Sequence, residues 1–336
     1  MDALSAVLKS VRLEGAVFLN AEFSAPWCVR GEAGMALYKG RLAPFEHMVF
    51  FHFVVDGRCK VRLNDTGQVI EAVGGDLVLF PQDDRHLMGS DLQITPLGGE
   101  GGADSGEVAN EDFIQLRHGG GGATTHFVCG YLLCNRSMSH SLFDALPRML
   151  RIPIGNGPAA GLLRELLQAG VRESLDTRPG AESSLAKLAE LMFVEALRRY
   201  AQTLPAEQKG WLAGVRDAQI GRALALLHAQ PNRAWTVDDL AREVALSRSA
   251  LAQRFAALVG ESTMQYLIRW RLALAAQALR VGRDAIARIA EGHGYESEAA
   301  FNRAFKREFG MPPAAWRKAA TIPVDVNAKR RGAATA

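Results

Sequence analysis

The chain contains the sequence VDDLAREVALSRSALAQRFAALVG at residues 237–260 and a similar sequence, IARIAEGHGYESEAAFNRAFKREFG, at residues 286–310. When Phe255 is aligned with Phe305, a serine, an apolar residue and a closing glycine coincide in the two stretches. Such self-similarity indicates that one structural unit occurs twice. The matching positions are Ser247 and Ser297, Leu251 and Phe301, Gly260 and Gly310, and, with one extra residue in the second turn, Leu240-Ala241 and Ile289-Ala290.

Each stretch has the pattern of a short helix, a tight turn and a second helix. A serine before the second helix can accept a hydrogen bond from an unpaired backbone N–H at the start of that helix. Behind the first serine, Leu251, Phe255 and Leu258 follow one another at i, i+4 and i+7, which is the spacing of one apolar helix face. The second stretch repeats this spacing at Phe301, Phe305 and Phe309. The sequence therefore predicts two helix-turn-helix units.

The opposite faces of the two second helices carry side chains that bond to base edges and phosphates. One polar helix face is usually only solvated, but two matching faces indicate a shared function. A long helix predicted over 263–280 would hold the faces at a fixed distance, and successive major grooves lie ~34 Å apart. We therefore expect one chain to bind double-stranded DNA in two adjacent major grooves. The residues predicted to contact DNA are Ser247, Arg248, Ser249, Gln253, Arg254, Arg271, Ser297, Glu298, Asn302, Arg303, Lys306 and Arg307.

Charge is unevenly divided along the chain. Residues 1–210 hold 20 Lys and Arg against 25 Asp and Glu, whereas residues 211–336 hold 19 against 11. An acidic half joined to a basic half indicates that the basic half meets a polyanion, although two domains with unrelated surfaces would give the same asymmetry. The two predicted units lie in the basic half, which fits salt-sensitive attraction to DNA phosphates.

The last hundred or so residues resemble the AraC/XylS family of bacterial transcription regulators. The resemblance implies an all-α DNA-binding domain over 211–320, and RNA polymerase as a further partner if the protein is an activator. Gln253 departs from the family, which often has a basic residue there, and Pro312 stands where Ser or Thr is common. The matching residues are Trp235-Thr236-Val237, Leu240-Ala241, Ser247, Leu251, Phe255, Arg271-Leu272, Ala275, Ile289-Ala290, Gly294-Tyr295, Phe301, Arg303, Phe305-Lys306, Gly310, Pro313 and Trp316-Arg317.

The first 95 residues consist of short apolar runs broken by turn residues, a pattern that predicts β-strands. The stretch GDLVLFP at residues 75–81, followed by His86, resembles the second motif of a cupin β-barrel. This half is also similar to the cupin-type sensor domains that precede AraC-like DNA-binding domains, including the reactive-chlorine-sensing ones. In that alignment the sensing cysteines fall on Ala21 and His126, so their redox mechanism does not carry over.

Four residues are the candidates for an effector pocket in the barrel: Trp27, His52, His86 and Cys129. An apolar wall with a few polar groups is typical of a small-molecule site. A lone histidine on a strand is more often a hydrogen-bonded core residue than a metal ligand. The sequence also lacks the His-x-His cluster of metal-dependent cupin enzymes, so we predict no catalytic residues, no metal and no cofactor. A thiol-based or metal-based sensor remains an alternative, as does a cupin enzyme fused to a DNA-binding module.

These patterns predict an α+β multidomain protein, with an N-terminal cupin-like β-barrel that has a helical extension and a C-terminal all-α double helix-turn-helix domain. The predicted boundaries are 1–150 for the barrel, with a flexible glycine-rich insertion at 98–122, 151–210 for a helical dimerisation segment, and 321–336 for a disordered tail. We expect a cytoplasmic protein, because neither a secretory signal nor a membrane-spanning run is evident. The amphipathic helices predicted in 151–210 are expected to form a homodimer, although ordinary core packing would give the same pattern. The four cysteines, which form no close pair, are expected to be free thiols.

Overall fold

The computed structural model of the protein describes residues 2–11, 13–31, 47–97, 106–108, 114–134, 142–143, 145–154, 158–175, 178–205 and 208–320. Its N-terminal part begins with helix α1 (Ala3–Val11), which replaces the strand predicted for this region. Eleven strands follow within these residues: β1 (Glu14–Ser24), β2 (Cys28–Gly31), β3 (His47–Asp56), β4 (Arg58–Leu63), β5 (Val69–Val73), β6 (Asp76–Phe80), β7 (His86–Gly89), β8 (Gly106–Val108), β9 (Ile114–Gly119), β10 (Thr124–Cys134) and β11 (Leu150–Pro153).

The strands form two sheets that face each other, as the predicted barrel requires. The larger sheet has the order β11-β6-β3-β10-β1-β9-β8, and the smaller has the order β2-β7-β4-β5. All the pairs of named strands are antiparallel except β1 with β9. Side chains from both sheets meet in one apolar cluster, which includes Phe23, Val61, Met88 and Phe127. This interior is the place where the sequence predicts an effector pocket.

Strand β3 is buried on both faces, which explains its unbroken apolar run. Because successive side chains of a strand point to opposite faces, Phe51 and Phe53 belong to one cluster and Val54 to another. The first cluster lies outside the barrel and includes side chains of the helices α2 (Pro158–Leu175) and α3 (Ala181–Thr203). Helix α3 lies close to β1, since a Cβ at Gly15 would be 2.5 Å from the carbonyl oxygen of Ala186.

The prediction of one flexible insertion at residues 98–122 is wrong for the part that the structure describes. Strand β9 pairs in parallel with β1, and β8 pairs with β9. The glycines that follow are also bonded, because the N–H of Gly120 donates to Ser24 at 3.0 Å and that of Gly122 to Ala25 at 2.9 Å. Glycine-rich composition predicted flexibility because it contains no information about β1, whose otherwise unpaired edge provides backbone hydrogen-bond partners for these residues. Residues 98–105 and 109–113 lie outside the described residues.

The helical segment predicted for 151–210 also needs a correction, because residues 151–153 belong to β11, which pairs with β6 in the larger sheet. Helices α2 and α3 occupy most of the rest. The tail at 321–336 lies outside the part of the chain that the structure describes. None of the helices in the described residues is both long enough and apolar enough to cross a membrane.

The C-terminal part is helical throughout, and its local sequence signals match the helix boundaries. Thr236 caps α6 in a capping box with Asp239, and Ser262 caps α8 in a capping box with Gln265. The helices are α4 (Trp211–Arg216), α5 (Ala218–Ala229), α6 (Val237–Glu243), α7 (Arg248–Val259), α8 (Thr263–Val281), α9 (Ile286–Gly292), α10 (Glu298–Phe309) and α11 (Pro313–Ala320).

Two separate apolar cores lie on the two sides of α8. The first contains the α6–α7 unit and is continuous with α1, α3 and the outer face of the larger sheet. The second contains the α9–α10 unit and Trp316 of α11. From α8, Tyr266, Leu267, Trp270 and Ala273 enter the first core, while Leu272, Ala275, Ala276 and Leu279 enter the second.

Candidate nucleic-acid interface and effector pocket

The turns of the two helix-turn-helix units share a residue with positive φ and one backbone hydrogen bond. Ala245 and Gly294 occupy the same position and both have positive φ, 56° and 79°. After each of them, one N–H reaches back to the first helix: Leu246 donates to Ala241 and Tyr295 to Ala290, both at 3.0 Å. The repeat detected in the sequence is therefore a repeat in space.

The predicted caps are present in both units. The hydroxyl of Ser247 accepts from the N–H of Ala250 at 3.1 Å, and that of Ser297 accepts from Ala300 at 3.2 Å. Both second helices end at a left-handed glycine, Gly260 with φ 87° and Gly310 with φ 74°. Leu251, Phe255, Phe301 and Phe305 are fully buried, which fixes the direction of the opposite, outward faces.

The outward face of α10 holds three of the predicted DNA contacts in a cationic patch. The side chains of Arg303, Lys306 and Arg307 are exposed and make no hydrogen bond or ion pair with any residue that the structure describes. Asn302 points its amide back to the carbonyl of Glu298 at 3.0 Å, and Glu298 itself is exposed in the first turn. This patch can bind phosphates without breaking an internal contact.

The outward face of α7 is less charged. Gln253 is exposed and has no hydrogen-bond partner among the described side chains, whereas Arg248 pairs with Asp238 at 3.3 Å. The hydroxyls of Ser247 and Ser249 are 3.2 Å apart. This unit therefore presents polar groups that suit base edges and few free cations.

Among the predicted DNA-binding residues, Arg254 and Arg271 each make several contacts within the domain. Arg254 donates to the Asp217 carboxylate from Nε at 3.0 Å and from Nη2 at 2.5 Å, and also contacts Gln219. Arg271 donates from Nε to the carbonyl of Pro231 at 2.6 Å and from Nη2 to that of Arg233 at 2.9 Å. Both guanidinium groups thus serve contacts within the domain.

The effector candidates His52, His86 and Cys129 lie together inside the barrel. Nδ1 of His52 is 2.7 Å from Sγ of Cys129, and its Nε2 is 2.7 Å from Nε2 of His86. This series of hydrogen-bonded side chains ends at the carbonyl oxygen of Asp84, which is 2.9 Å from Nδ1 of His86. Gly31 makes room for this arrangement, since a Cβ there would be 2.3 Å from the His86 ring.

Burial keeps the side chains of His52, His86 and Cys129 uncharged. It lowers the pKa of His52 well below its usual value, with His86 adding to the effect, and it lowers the pKa of His86 to about 4. Burial likewise raises the pKa of the Cys129 thiol well above its usual value. The two nitrogens of His52 point in opposite directions, so His86 and Cys129 cannot converge with it on one ion. Among the described residues, no group of three or more His, Cys, Asp or Glu is arranged to hold a metal.

Trp27 stacks on Phe23 at 4.8 Å and on Phe127 at 5.6 Å. It is buried, and its Nε1 has no hydrogen-bond partner within the described residues. Its backbone N–H donates to the hydroxyl of Ser90 at 2.9 Å, and Ser90 borders a cavity. Trp27 therefore contacts a residue that lines the cavity, Ser90, but does not line the cavity itself.

This cavity has a volume of about 320 Å³ and lies at the end of the barrel, next to the β4–β5 hairpin. Its lining residues form no motif in the sequence. Period-two alternation could have indicated that Cys59 faces inward, because Cys59 and Val61 are both buried in β4. Its lining residues are Ala25, Gly57, Arg58, Cys59, Lys60, Glu71, Val73, Ser90, Ala123, Thr124 and Thr125.

Comparisons with known proteins agree with this architecture. A cupin family model matches residues 2–202, and a helix-turn-helix domain model matches residues 240–319. A putative AraC-like transcription regulator of Streptomyces lividans is 33% identical over 324 residues, 96% of this chain and 100% of its own. The reactive-chlorine-species-specific activator RclR of Escherichia coli is 26% identical over 318 residues, 95% of this chain and 98% of its own. The crystal structure of ToxT from Vibrio cholerae covers 93% of this chain and 99% of its own, with a TM-score of 0.36 and 13% identity.

A strand-rich cupin domain in front of paired helix-turn-helix units defines a DNA-binding transcription regulator. The chain belongs to the family of AraC-like transcription regulators, as its sequence motifs predict.

Proposed function

We propose that the protein reads two adjacent major grooves of promoter DNA, one with α7 and one with α10. The observation that carries this proposal is the repeat of one turn contact and one serine cap in two units that pack on one continuous helix, α8, each with an outward polar face. The cationic patch of Arg303, Lys306 and Arg307 supplies salt-dependent affinity, and Arg303, which aligns with Gln253, also contacts a base in the second unit. Gln253 supplies base reading in the first unit, because an amide can bond bidentately to adenine.

Selection of bound duplexes from a random library tests this proposal. We expect enrichment of two short elements about one helical turn apart. Arg303→Ala should weaken binding about tenfold or more and relax the preference at one element only. Arg254→Ala is the matched control, since its guanidinium is held by Asp217, and should leave the base preference unchanged. Recovery of no enriched sequence, with folded protein, would refute the proposal.

We infer that the barrel binds a small effector and that the effector favours one arrangement of the DNA-binding helices. Support comes from the cavity of about 320 Å³, a size typical of small-molecule sites. Behind it, the uncharged hydrogen-bonded series of Cys129, His52 and His86 offers polar groups in an apolar interior. So does Nε1 of Trp27, which has no partner among the described residues.

DNA binding measured with and without a small-molecule extract of cells tests this second part. We expect the extract to change the affinity of the wild type. Lys60→Ala should reduce that change, because Lys60 lines the cavity. Arg62→Ala, two residues further along the same strand face and outside the lining, is the control. An extract response that is equal in all three proteins would place the effector elsewhere.

We further propose a homodimer that forms through α2 and α3. Among the side chains that the structure describes on these helices, Leu162 is 58% exposed, Leu166 42% and Leu191 51%. Leu162→Glu should therefore shift the sedimentation of the protein toward the monomer. Val281→Glu places the same charge on α8, where Val281 is 62% exposed, and should not. A dimer that survives Leu162→Glu would contradict this interface.

The relatives are named as transcription regulators, and RclR as an activator. We infer that this chain likewise acts on promoter DNA in the cytoplasm, contacts RNA polymerase if it activates, and catalyses no reaction.

A further inference from the structure

The two helix-turn-helix units share no apolar core. Each packs on its own side of α8, so α8 is the apolar connection between them. Any additional contact between the units must come from polar groups. Arg271 lies where α8 changes from one core to the other, between Trp270 of the first and Leu272 of the second.

The Arg271 side chain connects the two units directly. Its guanidinium donates to the carbonyls of Pro231 and Arg233, in the turn that leads into α6 of the first unit. The same group packs against Gly294 in the turn of the second unit, where a Cβ would be 3.1 Å from Cζ of Arg271. A planar, five-donor group can hold two carbonyls in a fixed geometry, which a lysine ammonium cannot.

Asn232 makes a second connection next to the first. Its Nδ2 donates to the carbonyl of Gly292, the last residue of α9, at 2.6 Å. The turn that holds Asn232 is itself rigid. Trp235 donates from Nε1 to the carbonyl of Gln230 at 3.0 Å, and the Arg233 guanidinium stacks on the Trp235 ring at 3.8 Å.

We propose that Arg271 and Asn232 form an interunit brace that sets the separation and rotation of the two recognition helices. The brace thereby selects the spacing of the DNA elements that the protein accepts. This inference rests on the proposed reading of two grooves. Adding or removing one base pair between the elements rotates one against the other by ~34–36° and shifts it by about 3.4 Å. A rigid brace rejects such a change, whereas a loosened one tolerates it. Arg271 is thus a positioning residue and not a DNA contact.

The spacer lengths recovered from a random duplex library distinguish these cases. The library is selected in parallel with the full-length wild type, Arg271→Lys and Asn232→Ala. Asn232 is exposed, so its variant keeps the test valid even if the Arg271 variant fails to fold. Arg303→Ala is the control, because it removes a cation from α10 without touching the brace.

We expect the wild type to prefer one spacer length at least about tenfold over its neighbours, and both brace variants to reduce this ratio at least threefold. Arg303→Ala should bind more weakly and keep the wild-type ratio. An unchanged ratio in folded Asn232→Ala and Arg271→Lys would overturn the brace even if affinity falls uniformly. Two enriched elements without any preferred spacer in the wild type would also overturn it. Absence of enriched elements would instead refute the two-groove proposal itself.

Discussion

The second helices of the two helix-turn-helix units have the same serine and glycine caps, but the two units differ in the cores against which they pack. Leu251 and Phe255 of the first unit belong to a core that extends into α1, α3 and the barrel sheet. Phe301 and Phe305 of the second unit belong to a cluster of their own. Local sequence therefore determines the shape of a unit, while its packing determines how far a disturbance spreads.

Truncation of one core phenylalanine in each unit should reveal this difference most strongly. Phe255→Ala and Phe305→Ala each remove a fully buried ring, at a cost of about 3–5 kcal/mol. Hydrogen exchange followed by mass spectrometry should show that Phe305→Ala loosens α9 to α11 alone. Phe255→Ala should loosen α4 to α8 and also α3 and β1. Faster exchange in the barrel of Phe305→Ala would show that the cores are coupled.

Lower pH should destabilise the first unit more than the second. Burial lowers the pKa of His228, in the first core region, and of His86, in the barrel, to about 4 from 6.5. Between pH 6.5 and pH 4 these histidines bind more protons in the unfolded chain than in the folded one. The folding stability present above pH 6.5 is therefore lost as the pH falls toward 4. Each histidine should cost on the order of 2 kcal/mol between pH 7 and pH 5.

The core cluster of the second unit contains no histidine, so it should keep its stability over this range. Urea unfolding at pH 7 and pH 5, followed by residue-resolved NMR, compares the first unit and the barrel with the second unit. His228→Asn should reduce the pH dependence of the first unit and the barrel and leave the second unit unchanged. An equal loss of stability in the second unit would contradict this assignment.

Removal of the N-caps should have a smaller effect. Ser247→Ala and Ser297→Ala each leave one N–H, of Ala250 or Ala300, without its partner, at about 1 kcal/mol. Thermal unfolding should show the Ser297→Ala loss in the transition of the second unit, and the Ser247→Ala loss in that of the larger core. A shift above about 2 kcal/mol in either would mean that the serine has further structural contacts.

The smallest change should follow from giving the first unit a cation that the second already has. Gln253→Lys places a charge on the exposed face of α7, so nonspecific DNA affinity should rise and its log–log salt slope should steepen by about one. Fluorescence anisotropy titrations at several salt concentrations measure both. Ala257→Lys, also exposed on α7 and one turn later, shows whether position or charge alone is responsible.

Local signals in the sequence were sufficient for the units but not for all of their contacts. The serine caps, the buried phenylalanines and the repeat are set by neighbours within one or two helical turns. Arg254 and Arg271 were predicted to contact DNA because their residue type suits it. Their partners, Asp217 and the Pro231 carbonyl, lie 37 and 40 residues away in the chain, and no local pattern indicates them.

In the N-terminal half, the sequence offered His52, His86 and Cys129 as pocket candidates but did not indicate their mutual contacts. Those contacts depend on the register of β3, β7 and β10 in two different sheets. Glycine content suggested flexibility at 114–122, where the deciding factor is an edge strand about 90 residues earlier. The cavity was missed for the same reason, since its wall comes from separate hairpins.

Strand β3 carries a final consequence for how this protein tolerates insertions and deletions. One side of β3 faces the barrel interior and the other faces the core that holds the first helix-turn-helix unit. A slip of one residue would exchange His52 with Phe51 or Phe53, and would place an imidazole among the aliphatic side chains of the outer core. A single-codon deletion in β3 should therefore be lost from natural variants more completely than one in β5, whose Val69 and Val73 face solvent.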